Sequence, residues 1–120
     1  MNLEQQRRDI AEQDISLAEQ RVLGAMLIDP RCVSEVLQQV EPEDFSCLKD
    51  REVFLGIRSL ARMGRVIDMV TVFDYLRQSG VSDASCYSTY LCHLADVTPT
   101  SAGVAQDIQH MKARQQQDTT

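Results

Sequence analysis

Tryptophan is absent, and aromatic side chains are limited to three Phe and three Tyr in 120 residues. A surface built to stack several nucleic-acid bases needs exposed rings, and a core of this size has first claim on the few available. Proline and glycine are scarce, at three and five residues, so collagen-like and low-complexity readings fall away. Lysine is nearly missing: Lys49 and Lys112 are the whole complement. No run of about 18 apolar residues exists to span a membrane. Arg7 and Arg8 are not followed by an apolar stretch, so the N-terminus does not read as a secretory signal.

The missing groups also exclude chemistry. The glycines at 24, 56, 64, 80 and 103 build neither G-x-x-x-x-G-K-[ST] nor G-x-G-x-x-G. A phosphate cradle needs consecutive backbone N–H groups with a lysine beside them, so nothing here binds and splits ATP, and no cofactor is expected. Cys32, Cys47, Cys86 and Cys92 form no C-x-x-C pair, and His93 and His110 stand far apart. No metal set with zinc spacing arises. Scattered thiols fit a reducing, cytoplasmic setting, where each is expected as a small buried residue. The acidic turn at Glu41, Glu43 and Asp44 is expected to be solvated, with one carboxylate capping a short helical turn.

What is present is amphipathic helix, six times over. With 43% hydrophobic residues the chain can bury one core, and a chain of this size has no room for two. The pattern predicts an all-α fold: a single compact domain of about six short helices over residues 15–112. A flexible N-terminal arm over 1–14 and a frayed tail over 113–120 flank it. Ser16 and Glu19 fit a capping box, followed by the apolar stripe Val22, Leu23, Met26, Leu27. Asp29-Pro30 reads as a cap with Pro at the first helical position, and Val33, Val36, Leu37 and Val40 line the second helix. The third runs roughly from Lys49 to Met63, with Gly64 as its stop. Asp68 caps a fourth, from about Met69 to Ser79, although Val66-Ile67 and Val70 to Phe73 are also β-friendly. Tyr87, Tyr90, Leu91 and Leu94 mark a fifth helix, and Val104, Ile108 and Met111 a sixth.

Two features point to partners. Arg51, Arg58, Arg62 and Arg65 follow spacings of seven, four and three, which puts them within about 60° of one another on a helix. The stripe reads either as a solvated face with diffuse pairing or as a docking strip for an acidic partner or a nucleic-acid backbone. Val104, Ile108 and Met111 form an apolar stripe at the end of the chain with little left to pack on it, which suggests self-association. The net charge of −6 argues against the chain being the main DNA-gripping part of anything, since duplex affinity comes from neutralising phosphates.

The order of short motifs carries a resemblance. Glu19, Val22, Leu23, Gly24, Leu27, Asp29 and Pro30 come first. The run Pro42 to Phe45 follows, then Val53, Phe54, Ile57 and Leu60, then Gly64, Asp68, Val70 and Thr71, with a weaker continuation through Thr98 to Ala102. Together they resemble the N-terminal domain of bacterial replicative DNA helicases of the DnaB family, over about residues 16–112. Asp50, Ser46, Cys86-Tyr87, Gly103 and Asp107 depart from the family pattern.

The resemblance implies a helical head that is not the motor. It would support subunit association, in a homo-oligomer or dimer with other helicase subunits, and docking of primase or a helicase loader. It would reach DNA only through the parent assembly and would not meet a membrane. The family's helical hairpin, linker and ATPase domain would begin near where this sequence stops. Two alternatives stay open. One is a stand-alone helicase-binding regulator from a mobile element. The other is a helical DNA-binding protein, for which Arg77 is a poor basic complement on the fourth helix.

Overall fold

A computed structural model describes the backbone of residues 3–80 and 84–118, and the side chains of 16–80 and 86–113. Six α-helices follow in chain order: α1 (Leu3–Ile28), α2 (Val33–Gln39), α3 (Leu48–Arg62), α4 (Met69–Gln78), α5 (Ala84–Asp96) and α6 (Val104–Asp118). Two 3₁₀ turns, Pro30–Cys32 and Pro42–Asp44, lead into α2 and toward α3. Among the described residues there is no strand; the β-friendly stretch after Gly64 forms a short extended connection and then α4.

Helix α1 is the spine. It packs chiefly on α6 and α5, and on α3. Its inner face buries Val22, Leu23, Met26 and Leu27, each worth roughly 1.5–3 kcal/mol of transfer free energy. The helix does not start at Ser16: its backbone is helical from Leu3. The side chains of the expected 1–14 arm lie outside the described residues, as do most of those of the 113–120 tail, where α6 continues to Asp118. Ser16 and Glu19 therefore sit inside a helix. Glu19, freed from capping, is used elsewhere.

Opposite α1, helix α3 buries Val53, Phe54, Ile57 and Leu60. The Phe54 ring meets Phe45 at 5.1 Å between centroids in a tilted arrangement, a geometry that adds to simple burial. The end of α3 is fixed by Gly64 at φ 69°. Its N–H donates to Ala61 O, and the Arg65 N–H donates to Leu60 O, a Schellman closure that only a left-handed residue completes without strain. Asp68 then caps α4: its carboxylate accepts from the Thr71 N–H at 2.9 Å, and Thr71 Oγ1 accepts from the Asp68 N–H at 2.9 Å.

The sixth helix closes the core. Val104, Ile108 and Met111 are 8%, 3% and 1% exposed, and α6 packs on α1 and on the Pro42–Asp44 turn. The stripe expected to seek a partner subunit has an internal one. In sequence α6 is the last apolar element, but in space the long α1 lies across it.

Candidate protein-interaction surface

Most residues that carry the family resemblance line the core, and three polar ones, Glu19, Asp29 and Asp44, fasten loops to it. Glu19, fully buried, accepts from the Ser46 N–H at 3.2 Å and from Ser46 Oγ at 2.9 Å. Asp29 accepts from the Arg31 N–H and Nε, and from Ser101 Oγ at 2.8 Å, joining the corner after α1 to the connection before α6. The hydrogen bond from Arg31, then that from Ser101, hold its carboxyl at about 2, below the ordinary carboxylate value of 3.8. Asp44 is buried rather than solvated: it accepts from the Glu41 N–H at 2.8 Å and from Lys112 Nζ at 2.6 Å, so one side chain closes the 3₁₀ turn and anchors α6.

A second polar cluster joins the start of α3 to α5. Asp50, 1% exposed, accepts from the Tyr90 hydroxyl, and Glu52 accepts from the Tyr87 hydroxyl. Lys49 Nζ lies 4.7 Å and 5.4 Å from the centroids of the Tyr90 and Tyr87 rings, within cation–π range. Tyr87 is buried and Tyr90 half-buried, so neither ring is an open platform for bases. Burial raises the Asp50 carboxyl above its ordinary value, with the Tyr90 hydrogen bond pulling the other way.

Burial also raises both phenols well above 10.0, and the hydrogen bonds to Glu52 and Asp50 add to it. A raised folded value means that the folded state holds its proton where the unfolded chain releases it. The two tyrosines therefore stabilise the fold fully below pH 10.0, and their contribution declines as pH rises beyond that value. Thermal melts from pH 9 upward should show falling Tm in the native chain and a flatter profile in Tyr87→Phe with Tyr90→Phe. Parallel profiles would contradict the assignment.

The four arginines do not act as one stripe. Arg51 turns back along its own helix and donates through Nε to Phe45 O at 2.7 Å. Arg58 is three-quarters covered, 3.9 Å from Glu41, with its guanidinium 6.0 Å from the Phe54 centroid. Arg62 and Arg65 are exposed and have no ion pair among the described residues. Arg65 lies past the helix end, so it diverges from the line that helical geometry assigned to it. The cationic face is thus concentrated at the C-terminal end of α3.

Around that end the surface is also apolar. Met63, Val66 and Val70 are 52%, 70% and 72% exposed. Beside them a groove of about 630 Å³ opens between α2 and the turn after α3, lined by Pro30, Val33, Leu37, Ala61, Val66 and Ile67, with Ser34, Gln38, Arg62 and Arg65 along it. Helical periodicity could not show this groove, because it forms between elements distant in sequence. The available signal was the apolar run Met63, Val66, Ile67, Met69 and Val70 straddling the Gly64 stop, where residues outside a helix have no shared face to hide on. Of the cysteines, Cys32 is buried, whereas Cys47, Cys86 and Cys92 are exposed, against expectation. Among the described residues no group of His, Cys, Asp or Glu is placed to hold a metal ion, and no helix is long and apolar enough to cross a membrane.

A compact all-α head, with its loops fastened to a central helix and an open apolar and cationic face at the end of α3, defines a small helical domain. The particular family follows from comparison. Residues 11–112 match the DnaB-like helicase N terminal domain, and the chain belongs to that family. It is 33% identical over 102 residues to the replicative DNA helicase DnaB of Rhodothermus marinus, covering 85% of this chain and 11% of that protein. It is 36% identical over 87 residues to the replicative DNA helicase DnaB of Geobacillus stearothermophilus, covering 72% and 19%. The chain thus spans a small part of the length of these curated relatives. The crystal structure of the N-terminal domain of DnaB helicase from Mycobacterium tuberculosis superposes with a TM-score of 0.74 at 30% identity, covering 79% of this chain and 66% of that one.

Proposed function

We propose that this domain is a non-catalytic assembly and protein-interaction module of a replicative DNA helicase. It supports association between helicase subunits and the docking of primase or a helicase loader, works in the cytoplasm, and meets DNA only through the parent assembly. The observation that carries this reading is the membership of residues 11–112 in the DnaB-like helicase N terminal domain family. The exposed cations Arg62 and Arg65 and the exposed apolar side chains at the end of α3 support it. So does the net charge of −6, which disfavours a direct grip on phosphates.

The docking half is tested with Arg58→Glu and Arg62→Glu combined. Circular dichroism should show the helices retained, with a modest fall in Tm because Arg58→Glu gives up the contact with Phe54 and sets a carboxylate beside Glu41. Calorimetric titration with purified primase and with purified loader should show affinity for at least one of them reduced about tenfold, a difference of about 1.4 kcal/mol. Unchanged affinity for both would remove the arginines from the docking role. Light scattering over a wide concentration range tests self-association, and a strictly monomeric chain would count against it.

A further inference from the structure

The groove between α2 and the end of α3 is aliphatic and cationic in a chain that is acidic overall. The chain carries 18 acidic against 12 basic residues, yet among the described residues that line the groove two are arginine and none is acidic. Both arginines stand exposed with no carboxylate of the chain within ion-pair distance among the described residues. The floor is aliphatic, and Val66 at its edge is 70% exposed. An apolar trough of this volume takes a few branched side chains, and a cationic rim with no internal counter-charge calls for carboxylates.

We infer that this groove docks an acidic amphipathic helix of a partner protein. Leu- or Ile-type residues on one helical face enter between Val33, Leu37, Ala61 and Ile67. Glu or Asp on the flank meet Arg62 and Arg65. Helix-in-groove recognition uses this division, with apolar anchors about one turn apart supplying the affinity and guanidinium–carboxylate pairs fixing the orientation. A nucleic-acid backbone fits less well. It has no apolar face for the aliphatic floor, and two cations neutralise too few phosphates to overcome the acidic surroundings. The inference deepens the docking role proposed above by naming its site and the chemistry of its occupant.

The probe is a designed 15-residue helical peptide with Leu at i, i+4 and i+7 and Glu along one flank, titrated into isotopically labelled protein by heteronuclear NMR. Saturable shifts are expected at the amides of Val33, Ser34, Leu37, Ala61 and Val66. Arg62→Glu with Arg65→Glu should weaken binding at least tenfold, and a peptide with Lys in place of Glu should then recover part of the lost affinity. The Ser34→Trp variant fills the exposed wall of the groove and should weaken both peptides.

Absence of saturable shifts at millimolar peptide overturns the inference, as does equal affinity for the Glu and Lys peptides in the native chain. So does a short single-stranded oligonucleotide saturating the same amides when the peptide does not. The two readings fail separately. If primase or loader binds the native chain and Ser34→Trp equally well, docking stands and this groove is not its site. If the peptide binds but neither protein does, the groove stands and the named partners fall.

Discussion

Gly24→Ala lowers the stability of the domain by about 3 kcal/mol. Helix propensity alone favours Ala over Gly inside a helix by about 1 kcal/mol, so the substitution looks harmless on α1. Space decides otherwise. A Cβ at position 24 would lie 2.1 Å from Thr98 Oγ1, 2.3 Å from the Leu94 carbonyl oxygen and 2.8 Å from Thr98 Cβ. Thr98 is buried and its hydroxyl donates to Leu94 O at 2.8 Å, so neither group can swing away. The end of α5 must separate from α1, and overpacking on this scale costs about 1–3 kcal/mol or more. For a domain of this size that is roughly a 12 °C fall in Tm, at about 4 °C per kcal/mol. Adding Thr98→Ala should recover only part of the loss, because the Leu94 carbonyl is backbone. Gly56→Ala serves as the control. Its Cβ would first meet Tyr75 Cδ1 at 3.4 Å, an ordinary contact, so propensity prevails and stability should rise by about 0.5–1 kcal/mol. Equal effects of the two changes would mean that α1 and the end of α5 do not approach closely at position 24.

Glu19→Ala costs about 2–3 kcal/mol, for a different reason. The carboxylate is fully buried and accepts two hydrogen bonds from Ser46, and hydrogen bonds to charged groups contribute about 1.5–3 kcal/mol each. Part of that is regained when the freed Ser46 groups, on an exposed residue, return to water. The substitution also leaves a hole between α1 and the loop that enters α3. Ser46 follows Phe45, which is buried against Phe54 and whose carbonyl accepts from Arg51, so releasing the loop loosens the entry to α3. Urea titration should give the loss, with about half of it for Glu19→Gln, which keeps a single acceptor. Native-state hydrogen exchange should become faster at the Ser46 amide before it does in α1. A change below about 0.5 kcal/mol, the range of unremarkable surface substitutions, would mean that the buried carboxylate contributes nothing to holding the loop.

Much of the fold was legible because helices announce themselves locally. The stops at Gly64 and Gly80, the cap at Asp68 and the stripe Val53, Phe54, Ile57, Leu60 each depend on residues within one or two turns. The capping-box reading of Ser16 and Glu19 failed for an equally physical reason. The same residue pair inside a longer helix is only two polar positions, and what Glu19 does depends on a loop 27 residues away. The arginines were legible as a cationic feature, but their division was not: Arg51 and Arg58 are drawn onto Phe45 O and the Phe54 ring, leaving Arg62 and Arg65 to face outward. The apolar stripe of α6 shows the converse limit. Its pattern announced a buried face and could not say whether the covering surface belonged to this chain or to another.

Periodicity and capping residues by themselves determined six helices and the stops at Gly64 and Gly80, because each follows from interactions between near neighbours along the chain. Tertiary structure alone decided that α1 covers α6, that Gly24 must lack a side chain, that Glu19 and Asp44 are interior anchors, and that an aliphatic groove with two exposed arginines opens beside α2. Those facts depend on which helix comes to lie against which, and no local pattern encodes the face that a distant segment will cover or leave open.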